Sequence, residues 1–291
     1  MKKYLSILLL LLVVVGCKDN QEAVLPTPQS VHLSLGNPSN AKADTNAPNN
    51  YLMLKPQYAL SYNRSYGHAN WVSWELSPEW LGTSDRQDDF RPDTALPSSW
   101  YKVKTSDYTN SGFDRGHLCP SADRTSTLDN NSSTFLMTNI FPQAPQLNRE
   151  AWARLEDYCR TLIDKGYHLY IIAGAYGTGG QGSNGSVSSI KGPINVPAHN
   201  YKIIVAVANR GNSNNINANT PVIAVDFPNS VSATDNKSWN TFVTTPANIE
   251  QSAGISLFTA LPDPVRLKLR EVRFDPTTTT LGYLMEEPLF S

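Results

Sequence analysis

Phe113-Asp114-Arg115-Gly116-His117-Leu118-Cys119-Pro120, continued by Thr138-Asn139-Ile140-Phe141-Pro142-Gln143 and closed by Leu147-Asn148-Arg149-Glu150-Ala151-Trp152-Ala153-Arg154-Leu155-Glu156, is the stretch that decides how the chain folds. After Asn148 the apolar residues Trp152, Leu155, Cys159, Leu162 and Ile163 follow the period of an amphipathic helix, and Gly166 ends it. Leu147 and Trp152 have the spacing of a hydrophobic staple, which predicts Asn148 at the N-cap. Asn148, Glu156 and Arg160 then share one flank of the helix, because they stand eight and four residues apart.

Ahead of the helix, Asp114 to His117 lies among apolar-polar alternation and Gly/Pro punctuation, which predicts a strand or hairpin edge. A strand-borne His facing an Asn-initiated helix is the outline of a ββα-metal finger. With these residues in order, the chain resembles the sugar-non-specific DNA/RNA endonucleases of the NucA and endonuclease G type. Their motif is Asp/Asn-Arg-Gly-His followed by Asn-x-x-Pro-Gln, Asn and Leu-Glu. The similarity runs from about Tyr51 to about Pro262. It implies an α+β fold: a ββα-metal finger on a largely antiparallel central sheet flanked by helices.

The resemblance also implies a chemistry. Hydrolysis of a phosphodiester needs a base for water, positive charge for the transition state and help for the leaving oxygen. His117 is the expected base, since imidazole near its unperturbed pKa of about 6.5 is largely neutral at pH 7. Asn148 offers a neutral oxygen suited to Mg²⁺, with Mn²⁺ able to substitute; capping of the helix is its other reading. Glu156, two turns along, is expected to act on the metal through water. Arg86 and Arg160 are expected to clamp phosphate oxygens. Asn139 and Asp114 would orient His117 or its neighbours, and Arg115 would pair inside the fold. None of these reads a base edge, so DNA and RNA are both expected as substrates, cut to 5′-phosphate ends without sequence preference.

Composition sets the limits around this reading. Among 291 residues, 24 basic and 25 acidic side chains give a net charge of −1, so no bulk field holds the chain on nucleic acid. That argues against a chromosomal packing protein, for which a basic stripe is the usual footprint. A hydrophobic fraction of 40% is ample for a packed core.

At the N-terminus Met1-Lys2-Lys3 precedes an apolar run from Leu5 to Val15, too short to span a bilayer. Residues 1–16 read as a signal peptide. Gly16-Cys17 at its end resembles a bacterial lipobox, which implies lipidation of Cys17 and a lipid-anchored protein of the cell envelope; an ordinary signal peptide with an incidental Cys is the alternative. Residues 17–50, with Pro26, Pro28, Pro38 and Pro48 among Ser, Asn and Gly, read as a flexible tether before a domain spanning 51–291. Tyr51 to Asn63 and Asn70 to Leu76 are expected as two strands, with Trp71 and Trp74 in the core. His168 to Ala175, Tyr201 to Ala208 and Pro221 to Phe227 follow as further strands, and one or two short helices are expected in the tail from Asn248. The loop Asp85-Arg86-Gln87-Asp88-Asp89-Phe90-Arg91-Pro92-Asp93 matches the family's Asp-Arg-x-x-x-Phe-Arg-x-Asp, which implies a phosphate contact for Arg86 and a structural salt bridge for Arg91.

In a compartment that permits disulfides, Cys119 and Cys159 are expected to pair, with two buried free thiols as the alternative. Gly177-Thr178-Gly179-Gly180-Gln181-Gly182 matches a dinucleotide fingerprint by chance, since no helix pattern opens there. Two other functions fit the same composition: a surface lipoprotein that binds nucleic acid without cutting it, and a phosphodiesterase for non-polymeric substrates.

Overall fold

The computed structural model describes residues 30–277 and Leu281. Val, Ile and Tyr recur with Ala and Leu in the strands of one six-stranded antiparallel sheet, in the order β1-β2-β3-β6-β11-β12. These strands are β1 (Tyr51–Leu54), β2 (Ala59–Asn63), β3 (His68–Leu76), β6 (His168–Tyr176), β11 (His199–Val207) and β12 (Val222–Pro228). Between β3 and β6 the chain forms the two-stranded ribbon β4 (Asp114–His117) and β5 (Ile140–Gln143), linked through helix α1 (Leu128–Ser133). Gly177 to Asn195 folds into the small strands β7 (Gly180–Gly182), β8 (Gly185–Val187), β9 (Ser189–Ile190) and β10 (Ile194–Asn195), with no helix at the glycines. After β5, a π-helical segment Leu147–Trp152 leads into α2 (Ala153–Asp164). Three short helices complete the fold: α3 (Val231–Thr234), α4 (Pro246–Ala253) and α5 (Asp263–Arg270). The α+β architecture with a central antiparallel sheet is as the resemblance implies.

Apolar side chains cover both faces of the sheet. On one face Trp74, Val72 and Ile171 pack with Leu118, Phe141, Trp152, Leu155 and Leu162, which fastens the ββα unit to the sheet. On the other, Trp71, Ile172 and Ile203 pack with Ile249, Leu257 and Leu269. Trp71 and Trp74 are both core residues.

The structure departs from the sequence pattern at three places. Residues 30–50 are not a tether: Leu33, Leu35 and Ala41 are buried in the second core, and His32 Nε2 donates to the Pro56 carbonyl. The first sheet segment is two strands, because Lys55 N–H closes a turn on the Tyr58 carbonyl after Leu54. Cys119 and Cys159 are buried free thiols in the same core, with no disulfide between them. Cys17 and the signal segment lie outside the described residues.

Candidate active site

The ribbon and the helix meet because their sequences leave little choice. In β4, Gly116 faces the Gln143 side chain so closely that a Cβ there would overlap it, 2.6 Å from the Gln143 Cβ. Glycine is therefore the residue that lets β4 and β5 pair with Asp114 opposite Gln143 and His117 opposite Ile140. Asn139 locks the exit of β4. Its amide oxygen accepts from the Cys119 N–H at 2.9 Å and its nitrogen donates to the Cys119 and Thr134 carbonyls, each at 2.8 Å. It thus holds the neighbours of His117 and makes no bond to the imidazole.

Asn148 does not cap its helix. Gln146 precedes the π-helical turn, and Asn148 sits inside it with its N–H on the Ala144 carbonyl at 2.9 Å. Its side-chain amide nitrogen donates to Asp114 Oδ2 at 2.9 Å. A carboxylate only accepts, so this contact fixes which end of the amide faces Asp114 and turns Oδ1 away from it. Arg149 holds the same carboxylate with Nε at 2.8 Å and Nη2 at 2.7 Å. Asp114 thus orients Asn148, not His117.

One cleft of about 180 Å³ gathers Arg86, Arg115, His117, Ser121, Asn148 and Glu156, with Trp152 in its wall. The His117 ring packs in a three-ring cluster, edge-to-face on Phe135 at a centroid distance of 4.9 Å and against Phe90 at 5.3 Å, with the two phenylalanines touching each other at 5.0 Å. Its Nε2 is buried and without a partner, which leaves Nδ1 as the nitrogen open to the cleft. Burial pushes its pKa down to about 3, with Arg86 and Arg115 adding to the effect. The imidazole is therefore in its neutral, base form at physiological pH.

Arg86 is 54% exposed, so it keeps donors for a ligand while Ser121 Oγ (2.8 Å) and the Phe135 ring (4.8 Å) aim it. Arg115 does not pair inside the fold. It lies over the Phe90 ring at 4.3 Å and lines the cleft. Arg91, as expected, is engaged with Asp89 at 2.6 Å.

Glu156 reaches the cleft, and its Oε1 accepts from Lys202 Nζ at 3.0 Å. Lys202, on β11, is 1% exposed and lies 4.1 Å from the Trp152 ring centroid. Burial pushes the Glu156 carboxyl above its usual range while Lys202 opposes the shift. Arg160 is placed differently from expectation. Its guanidinium is taken by Asp123 at 2.9 Å and by Asp157, and it is not among the residues lining the cleft. Two carboxylates within reach of the same flank of α2 outcompete the cleft for it. Lys202 escaped the sequence reading, although a Lys inside the apolar run Tyr201 to Ala208 signals a buried acidic partner.

Among the described residues no three His, Cys, Asp or Glu side chains form a metal cage. What the cleft offers is the freed amide oxygen of Asn148 with a carboxylate beyond it, an all-oxygen set that fits a hard cation retaining most of its water.

Comparison with known proteins agrees with this geometry. The DNA/RNA non-specific endonuclease family matches residues 36–264. The chain belongs to that family. It is 46% identical over 256 residues to a nuclease of Nostoc sp. (strain PCC 7120), covering 86% of this chain and 90% of that protein. Human mitochondrial endonuclease G is 33% identical over 167 residues, 55% of this chain and 56% of that protein. A chain in the crystal structure of the EndoG/EndoGI complex superposes with a TM-score of 0.67 at 25% identity, covering 82% of this chain and 94% of that one. As a member of this endonuclease family the chain is a hydrolase with non-specific nuclease activity, and its ββα unit is the one formed by β4, β5 and α2.

Proposed function

We propose that the protein is a metal-dependent endonuclease that hydrolyses both DNA and RNA through His117 and Asn148. The observation that carries this reading is the meeting, in one cleft, of a neutral buried imidazole, an amide oxygen freed by Asp114 and a half-exposed guanidinium. His117 accepts the proton of an external water at Nδ1. The water oxygen attacks phosphorus in line with the 3′ oxygen, the phosphorus–O3′ bond breaks, and the products carry 5′-phosphate and 3′-hydroxyl ends. Arg86, with Arg115 beside it, holds the non-bridging oxygens. Asn148 would hold Mg²⁺, or Mn²⁺ in its place, directly, with Glu156 acting through intervening water. A hard divalent ion there supplies positive charge against the developing charge of the leaving oxygen. Asp114 and Asn139 position; Arg160 supports the helix from behind through Asp123 and Asp157. Lipidation at Cys17, and with it anchoring in the cell envelope, is part of the same proposal and rests on the sequence alone.

Plasmid DNA and RNA are the test substrates. Both should be cut with Mg²⁺, chelation should stop cutting reversibly, and Asn148→Ala should lose most Mg²⁺-supported activity. His117→Ala should lose about 10²–10⁴ in rate, the usual worth of a general base, while keeping its DNA affinity. Full activity in excess chelator would remove the metal. Wild-type protein that shifts DNA on a gel yet cuts with no divalent ion would favour the binding protein.

A further inference from the structure

Beside the catalytic cleft lies a second, larger one of about 530 Å³, within the range that holds a small ligand such as a nucleotide. The two share Arg115, which lines both. Apart from Asp114 and Arg115, the wall of the second cleft is uncharged, and it is polar except for Phe113. Thr105, Ser106 and Thr109 bring hydroxyls to it, and Tyr108, 7% exposed, has a buried hydroxyl with no hydrogen-bond partner. Its one carboxylate, Asp114, is already paired with the Arg149 guanidinium and accepts from Asn148. Arg115 makes no hydrogen bond or ion pair to any described residue and is held only by stacking on Phe90. An unpartnered guanidinium thus stands at the junction of two clefts, one of which holds the base for phosphodiester cleavage.

We propose that this second cleft is the subsite for the nucleotide next to the scissile phosphate, with Arg115 standing between that phosphate and the following one. The inference rests on the nuclease reading above and adds where the polymer runs. Hydroxyl groups donate and accept alike, so they can meet a sugar, a phosphate or any base edge without selecting a sequence. Such a subsite gives a polymer an advantage that a small diester cannot use.

Ser106 and Thr109 are exposed, so a charge can be placed there without disturbing the fold. KM and kcat are measured for a single-stranded thymidylate decamer and for bis(4-nitrophenyl) phosphate. Thr109→Glu and Ser106→Glu should each raise KM for the decamer about fivefold, as expected of one exposed charge contact, with kcat nearly unchanged. Neither should alter hydrolysis of the small diester. Thr109→Lys should lower KM for the decamer. Asn219→Glu, exposed at another part of the surface and equal in net charge, should change neither. Unchanged KM in the Ser106 and Thr109 variants, an equal effect on both substrates, or an equal effect from Asn219→Glu would overturn the subsite alone. Wild-type protein that cleaves neither substrate would overturn the nuclease reading and the subsite with it.

Discussion

Replacing Lys202 by Met removes a cation that is 1% exposed and leaves the Glu156 carboxylate, 13% exposed, without its 3.0 Å partner. Methionine fills much of the same space between Trp74 and Trp152, so the change is chiefly electrostatic. Breaking a buried pair from one side costs about 3–5 kcal/mol, which for a domain of this size lowers Tm by roughly 6–20 °C. The sign with pH follows from the direction of the shift. Burial already raises Glu156 above its unfolded pKa and Lys202 opposes that rise, so the variant raises it further. A raised carboxyl contributes its stability below the unfolded pKa and loses it as pH rises through the folded one. The penalty of Lys202→Met should therefore be larger at pH 8 than at pH 5, since the raised carboxyl takes up its proton earlier as pH falls and then needs no cation. Urea unfolding at both pH values measures it, with Glu156→Gln and the double variant completing a cycle. The double variant should regain most of the stability and none of the activity. Equal penalties at pH 8 and pH 5, or a double variant whose losses simply add, would refute the coupling.

Two further outcomes follow from the same burial. Because Arg86 and Arg115 both lower the His117 pKa, Arg115→Met should move the acid limb of kcat/KM upward, while wild-type activity should persist well below pH 6.5; a limb that stays or moves down would contradict the placement of Arg115. Cys119 and Cys159, whose thiols burial pushes up to about 12, should resist alkylation at pH 8 in the native protein. Both should react in denaturant without reductant, and peptide mass spectrometry finding them unmodified there would restore the disulfide.

What was legible in the sequence was carried by local pattern. The period of Trp152, Leu155 and Cys159 gave the helix, and the Asp114 to His117 motif gave the strand that meets it. The staple spacing places Asn148 at the N-cap, whereas the structure puts it inside the turn with its side chain on Asp114, and a staple spacing says nothing about a carboxylate arriving from a strand. Arg160 departs from expectation for the same reason, since Asp123 reaches it from a segment with no regular spacing to α2. Residues 30–50 lack periodicity because they are held by isolated anchors. Leu33 and Leu35 enter the core singly, Asn37 brackets Ala41 with two side-chain bonds, and Ser39 donates to Asn50. Lys202 was visible as an anomaly inside an apolar strand, but only the fold supplies Glu156 as its reason.

The central claim is that His117 activates an external water, so the 2′-hydroxyl of RNA takes no part. Mass spectrometry of the ends made by the purified protein on a short RNA and on the DNA of the same sequence tests it directly. Both should carry 5′-phosphate and 3′-hydroxyl ends, and His117→Ala should lose both cleavages. Accumulation of 2′,3′-cyclic phosphates from RNA, with DNA left intact, would contradict it.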